Sequence, residues 1–427
     1  MALGLKSWGK TVDLGWLVFN VTVFFWYIQP SITRTLTNTE WYERAAFISA
    51  GPSDFLIAFF ITNLFYTLFC FGYMIGIPKS IINIIESRIV PETPFRAHQN
   101  LTTLILLFLA ALSFYVIASG GITDAIRFFT SGRSGASPWD STGNYGTALS
   151  PFHVFAGSLR IALSIIFGYI FLLCPLTRRS RYLAGAMWII AALSVAIESG
   201  TRTNLILSFG PPLLLYLRHS HFSGRLSQFK ALAFIFIVAM VLAFFGSFLR
   251  TFRNAGNVNE ALQASELVIE DNDGLIHTAF AYKESQIEPH TYDSAVLHIL
   301  TGPIPRVLWP GKPELISMNI HSYYVWGVDI TKTGGNTLPF IIGQYMIAWG
   351  WFGLFEVGLC LGFFIFALDN LFYRSRSPHS HIFYITISCF LFATFRLLGF
   401  FFAFPLFLLL GAIHLQHWRQ RRRIRRA

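Results

Sequence analysis

Residues 53–76 read SDFLIAFFITNLFYTLFCFGYMIG. One carboxylate, Asp54, stands near the start, and the apolar run behind it has the length that crosses a bilayer as a helix, about 20 residues. Similar blocks recur on both sides, at roughly 12–31, 100–119, 152–176, 182–198, 204–217, 231–251, 352–369, 382–396 and 398–415. The 427 residues are 54% hydrophobic and only 12% charged, with a mean hydropathy of +0.54. A water-soluble core cannot absorb that much apolar surface, 45 phenylalanines included. The expected fold is therefore an all-α polytopic membrane protein with about ten transmembrane helices. The sixth block carries Pro211-Pro212 and is expected to be broken or tilted.

The hydrophilic breaks orient the chain. Lys6, Lys10, Lys79, Arg88, Arg96, Arg178, Arg179, Arg181, Arg218, Arg225, Lys230, Arg374, Arg376 and the tail Arg419 to Arg426 all fall on one side of a ten-span layout. By the positive-inside rule that side is the cytoplasm, and both termini lie there. The net charge of +11 is thus spent on topology, and no basic module interleaved with stacking aromatics points to nucleic acid. Leu14 to Ile32 lacks a small-residue cleavage site and reads as the first membrane helix. Cys70, Cys174, Cys360 and Cys389 lie inside apolar blocks without paired spacing, which makes disulfide or metal roles unexpected. The isoleucine-rich stretch from Ile81 to Ile89, broken by Asn83, Glu86 and Arg88, reads as an amphipathic helix on the inner leaflet.

The resulting organisation is helices 1–7 with short loops over 1–251, a large external loop over 252–351, helices 8–10 over 352–415 and a basic tail over 416–427. The large loop is acidic through its middle, with Glu260, Glu266, Glu270, Asp271, Asp273, Glu284, Glu288 and Asp293. Its segment from Leu338 to Gly350 is short for a span and is expected to be a re-entrant or interfacial helix.

Function is sought among cations that break the positive-inside rule close to the membrane. These are Arg160, Arg202, Arg250, Arg253, Arg306, Lys312 and Arg396. An arginine within a membrane helix costs about 2.5 to 3.5 kcal/mol on insertion scales, so several together call for a compensating anion. Guanidinium groups hold phosphate oxygens through a planar fork, which suits a diphosphate at the external headgroup level. Snorkelling, or pairing with Glu198, Glu356 or loop acids, is the ordinary alternative for any one of them. Arg34, Arg44, Arg127, Arg133, Lys283 and Lys332 are also external but are read as plain polar-loop residues. Prolines stiffen the segment from Gly302 to Pro313 and present Arg306 and Lys312.

The segment Ile304-Pro305-Arg306-x-x-Trp309-Pro310-x-Lys312-Pro313, then Gly334-Gly335, then Gly343-Gln344-Tyr345 leading to Trp351-Phe352-Gly353, resembles the Wzy-type O-antigen or oligosaccharide repeat unit polymerases. The Gly200-Thr201-Arg202 turn and the arginine-bearing helix end before the large loop fit the same pattern. Local motifs carry the resemblance in the second half, and the span layout extends it over most of the chain. It implies a glycosyltransferase of the bacterial inner membrane that moves a growing glycan, on the periplasmic face, from undecaprenyl diphosphate onto an incoming lipid-linked repeat unit. Donor and acceptor are then both undecaprenyl-diphosphate-linked oligosaccharides, and a chain-length regulator and a flippase are the expected protein partners. Gln344 stands where the family often has an acidic residue nearby, so the resemblance assigns that position no catalytic role.

In such a transfer charge builds on the leaving diphosphate, and preorganised cations lower the barrier. Arg202, Arg250, Arg253 and Arg306 are the foremost candidates, with Lys312, Arg160 and Arg396 behind them. A base for the acceptor hydroxyl is sought among Glu284, His290, His277 and Glu288, each also readable as an ordinary loop residue. Asp271-Asn272-Asp273 has a D-x-D look but no strand context, and solvated acids are the plainer reading. An arginine-based site needs no metal or cofactor, so turnover is expected to survive EDTA; loss on chelation, restored by Mg²⁺ or Mn²⁺, would contradict this.

No hydrolase, zinc-protease, P-loop or dinucleotide motif appears. Two rivals stay open. An O-antigen ligase would use the same donor with a lipid A core acceptor. A transporter of lipid-linked sugars should show repeated halves and charges near the bilayer midplane, neither of which is clear here.

Overall fold

The computed structural model describes residues 14–36, 41–78, 80–82, 101–118, 121–123, 150–199, 202–219, 273–293, 309, 311, 316–327, 339–374, 384–391, 408 and 411. The protein is mostly helical, and three of its described helices are long and apolar enough to cross a membrane: Pro52–Ile75, Phe155–Leu173 and Phe340–Leu371. Of the ten expected spans, 231–251 lies outside the described residues, as does nearly all of 398–415. Most of the amphipathic stretch 81–89 lies outside them too. The chain divides into two compact units, one of Met1–Val90, Ile269–Arg376 and Phe390–Phe402, the other of Pro91–Val268, Ser377–Cys389 and Ala403–Ala427.

The first unit opens with α1 (Leu14–Val23), which passes through a π-helical turn (Phe24–Ile28) into α2 (Gln29–Leu36). A two-residue hairpin follows, β1 (Glu43–Arg44) and β2 (Ser49–Ala50), antiparallel with Glu43 opposite Ala50. Helix α3 (Pro52–Ile75) then begins under Gly51, whose N–H donates to Asp54 Oδ2 at 2.8 Å. That carboxylate in the first turn also suits the helix dipole. Helix α3 ends at Gly76, where φ is +66°, a left-handed conformation that favours glycine.

Helix α3 packs backbone to backbone against the long helix of Phe340–Arg374. A Cβ on Gly72 would stand 2.5 Å from the Leu359 carbonyl oxygen, and one on Gly362 would stand 2.7 Å from Tyr73 N. Gly358 and Gly362 are four apart on one helix face, the small-residue arrangement that lets membrane helices approach closely. Rings from α1 fill the adjoining space, with Phe19 stacked on Phe69 and Trp16 against Tyr73. The first N–H groups of α1 have no partner in their own helix. Asp369 supplies one from the long helix, accepting from Gly15 N at 2.9 Å, Trp16 N at 3.3 Å and Tyr73 Oη at 2.9 Å.

The long helix is two helices joined at Gly350, whose φ of +61° breaks the regular backbone. The short segment expected from Leu338 to Gly350 is thus a distinct helical piece, and the span expected at 352–369 extends to Arg374.

In the second unit α4 (Leu101–Ala118), α5 (Ser150–Leu173), α6 (Arg178–Ser199) and α7 (Arg202–His219) pack together. Helix α7 corrects the expectation of a break, since it runs through both Pro211 and Pro212. Pro212 has no N–H to give to the Ser208 carbonyl one turn earlier. Trp188 Nε1 donates to that oxygen instead, at 3.1 Å. Gly168 makes room for the arrangement, because a Cβ there would stand 2.6 Å from the Trp188 ring and 2.7 Å from the Pro212 ring.

Candidate functional site

Among its described residues, the segment read as a large loop contains α8 (Gly274–Ile287) and α9 (Ile316–Trp326) ahead of the helical piece that begins at Phe340. Together with the hairpin they form a cap in the first unit, with Ile48, Ala50, Phe55, Ala58, Leu275, Ile276, Ala279 and Phe280 as its apolar core. The hairpin turn donates from Ala46 N and Phe47 N to the Val325 and Tyr324 carbonyls of α9.

Asp273 starts α8. Its carboxylate Oδ1 accepts from Leu275 N at 3.0 Å and Ile276 N at 3.1 Å, an N-cap. The other oxygen, Oδ2, takes Arg34 Nε at 3.0 Å, and Arg34 Nη2 reaches Glu43 at 3.3 Å. Burial is the largest influence on the Asp273 carboxyl and raises its pKa, against the pull of the Ile276 amide and Arg34. Two earlier readings are corrected here. Asp273 is a buried capping group, since a helix start needs an acceptor, and Arg34 is a structural tie at the end of α2. Lys283 likewise leaves the polar-loop class, donating to the Ser49 carbonyl at 2.7 Å and pairing with Asp54 at 3.3 Å.

His277 and Glu284 are seven residues apart on α8, two turns along one face. His321 of α9 inserts between them. Its Nδ1 lies 3.0 and 2.9 Å from the two Glu284 oxygens, and its Nε2 lies 3.0 Å from His277 Nδ1. The side chains of Glu284 and His321 are both 0% exposed, whereas His277 is half-buried. A carboxylate can only accept, so Nδ1 of His321 is its donor. In the neutral ring Nε2 of His321 then accepts, and His277 gives it the Nδ1 proton.

Aromatic rings pack beside His277. The His277 ring lies 5.5 Å from Phe340, which also meets Trp26 at 5.3 Å and Tyr27 at 6.0 Å. Phe340 holds a φ of +56°, a strained setting for a bulky residue. Trp26 and Tyr27 come from the π-helical turn, a distortion frequent at functional sites. Gly274 lets that turn approach, since a Cβ would stand 2.7 Å from the Trp26 carbonyl oxygen. Gly343 packs close by, where a Cβ would stand 3.6 Å from the His277 carbonyl oxygen and 3.0 Å from the Ala281 side chain.

The structure therefore joins Glu284 and His277 through His321, which sequence reasoning missed. The signal for the pair was its helical spacing; nothing local marked His321. Glu284 is sealed from solvent. His290 stands elsewhere, with Nε2 against Gly350, where a Cβ would be 2.7 Å away. Its Nδ1 is buried without a hydrogen-bond partner among the described residues, as is Oε1 of Gln344. Glu288 accepts from Tyr324 Oη at 2.7 Å, and this bond, with burial, pushes the Tyr324 phenol up to about 12. Asp293 accepts from Thr291 and from Ser317.

Arg160 belongs to the second unit. It is fully buried, donates to the Ala156 and Ser194 carbonyls at 3.3 and 3.4 Å, and lies 4.7 Å from the Tyr115 ring centroid. Arg202 opens α7 in backbone only; its side chain, and all of Arg250, Arg253, Arg306, Lys312 and Arg396, lie outside the described residues. Among the described residues no cluster of three or more His, Cys, Asp or Glu suits a metal ion.

No family model, curated protein or solved structure matches the chain. Fold and composition define a mostly helical protein with helices of membrane-crossing length.

Proposed function

We propose that this protein is a membrane glycosyltransferase that polymerises undecaprenyl-diphosphate-linked oligosaccharide repeat units at the periplasmic face of a bacterial inner membrane, with both termini in the cytoplasm. The observation that carries the reading is the cap over residues 273–293 and 316–327. It gathers a carboxylate and two histidines beside Gly343, a residue of the polymerase-like motif. Polar chemistry on an otherwise apolar helical protein suits a substrate that is part lipid and part sugar. Arg202, Arg250, Arg253 and Arg306, then Lys312 and Arg396, are the candidate diphosphate ligands of this reading, and fixed positive charge at a diphosphate favours its departure.

The test is turnover of a defined undecaprenyl-diphosphate oligosaccharide by the purified full-length protein. The wild type is expected to build a product ladder. Arg202→Ala, Arg250→Ala and Arg306→Ala are each expected to lose about 10² to 10³ in rate, the usual cost of removing one preorganised electrostatic group. Normal polymerisation by all three variants would overturn the diphosphate assignment. Transfer to a lipid A core acceptor without self-condensation would replace the polymerase reading by a ligase.

A further inference from the structure

We infer that Tyr292, Trp349 and Asp293 form a binding subsite for sugar residues of the lipid-linked oligosaccharide, beside the helix break at Gly350. The inference rests on the polymerase reading for the chemistry of the ligand and on this junction for its place.

The chain leaves α8 through His290-Thr291-Tyr292-Asp293. Tyr292 N donates to the Ala348 carbonyl at 2.9 Å, and Trp349 Nε1 donates to the Asp293 carbonyl at 3.1 Å. These two bonds pin the segment to the last residues before the break. Both sides of the junction adopt the left-handed backbone, with φ of +52° at Tyr292 and +61° at Gly350. Glycine takes that setting freely. A bulky aromatic residue takes it at a cost, and such strain persists where the surroundings hold it, often at ligand clamps.

What the strain secures is an outward ring. Tyr292 is 63% exposed, yet it lies edge to face with half-buried Trp349, centroids 5.1 Å apart at 80°. The His290 ring meets it at 86°, 6.1 Å away. The phenol is thus fixed in angle by two neighbours while most of its surface stays open. Glycine at 292 would make the same turn without strain, and an exposed ring adds little to packing. Trp and Tyr also gather at membrane interfaces, a role that needs no fixed ring angle. Trp351, 42% exposed and 6.4 Å from the Phe60 ring of α3, fits that simpler role.

A sugar matches the junction on two counts. The C–H face of a pyranose is apolar and weakly positive, and it suits the negative face of an aromatic ring. The hydroxyls at its rim need acceptors, and Asp293 stands next to Tyr292. The Asp293 carboxylate accepts from Thr291 and, at 2.7 Å, from Ser317 Oγ. Those bonds orient it and leave acceptor capacity, since two carboxylate oxygens offer about four lone-pair sites.

The experiment uses the purified full chain in detergent. Saturation-transfer NMR measures binding of the lipid-free oligosaccharide released from the same defined substrate, alongside the turnover assay. The wild type should transfer saturation to the sugar C–H protons. Tyr292→Gly removes the ring and should weaken binding about 10-fold, the upper worth of one well-placed ring contact. Tyr292→Phe keeps the ring and should bind as the wild type does. Asp293→Asn should also lose about 10-fold, through weaker hydrogen bonds to the hydroxyls. Tyr292→Gly and Asp293→Asn should raise KM and change kcat little, as removal of uniform binding does. A purely structural role would instead lower the melting temperature and kcat together. Should the glycine variant not melt cooperatively, Asp293→Asn decides alone. Wild-type binding by either of these two variants in folded form, or a loss in Tyr292→Phe as large as in Tyr292→Gly, overturns the subsite; product formation by the wild type then leaves the polymerase reading standing. If the wild type binds the oligosaccharide through Tyr292 but forms no product, the polymerase reading fails and the subsite stands. A wild type that neither binds nor polymerises overturns both.

Discussion

Gly362→Ala is expected to prevent the protein from accumulating in a folded form. The added methyl is the smallest side chain available, yet it would stand 2.7 Å from Tyr73 N and near the carbonyl of Phe69. Those are backbone atoms in the last two turns of α3, and no rotamer change can move them. The helices of Pro52–Ile75 and Phe340–Arg374 would have to separate along their contact, losing the dispersion contacts that hold helices together in lipid. Overpacking with flexible neighbours costs about 1 to 3 kcal/mol, and this site has none, so the loss should exceed about 3 kcal/mol. That is a large part of the stability of a typical fold, about 5 to 15 kcal/mol. Gly411→Ala is the control, because among the described residues nothing lies within 4 Å of a Cβ there. The measurement is the yield and melting temperature of detergent-purified protein. A Gly362→Ala protein melting within about 2 °C of wild type would sink the close-packing account.

Asp273→Ala should be the most damaging single change in the cap. It removes the acceptor for two amides at the start of α8, worth about 0.5 to 2 kcal/mol. It also strips Arg34 of its closest carboxylate in a place where the two side chains are 14% and 5% exposed. Breaking a buried pair from one side costs about 3 to 5 kcal/mol. Arg34 keeps Glu43 and the Phe55 ring, so the total should fall to about 2 to 4 kcal/mol under the same rule. Asp273→Asn should cost clearly less, because an amide oxygen still caps the helix and the burial of a charge is relieved. Denaturant unfolding of the two variants in detergent decides the matter. Equal losses for alanine and asparagine would show that the cap contributes nothing.

The helices of membrane-crossing length were legible because lipid demands long apolar runs, and three of the described helices have that length and composition. Where they end was less legible. The break at Gly350 falls where the short segment from Leu338 was expected to end, but the helix after it runs past residue 369 to Arg374. Pro211 and Pro212 misled for a similar reason: the donor that rescues the Ser208 carbonyl is an indole twenty positions earlier. The cap was read as loop because its helices are short and its acids looked solvated. Glu284 was named as a candidate from its chemistry, and His277 beside it, but the ring that joins them lies 37 residues from Glu284. Arg34 was set aside for the same cause, since Asp273 is 239 residues away. Pairings across such separations exist only once the chain has folded.

The π-helical turn of Phe24–Ile28 acts as a phase shifter in the first helix. In a regular α-helix each residue turns the chain by about 100°. The wider turn changes the angular register between the rings that stack near Phe69 and the arginine that holds α8. Removing one residue from this stretch would relax it to an ordinary helix and swing Arg34 away from Asp273 while leaving the lower half in place. Length and composition would hardly change, yet the helix would keep its contacts at one end only by losing them at the other.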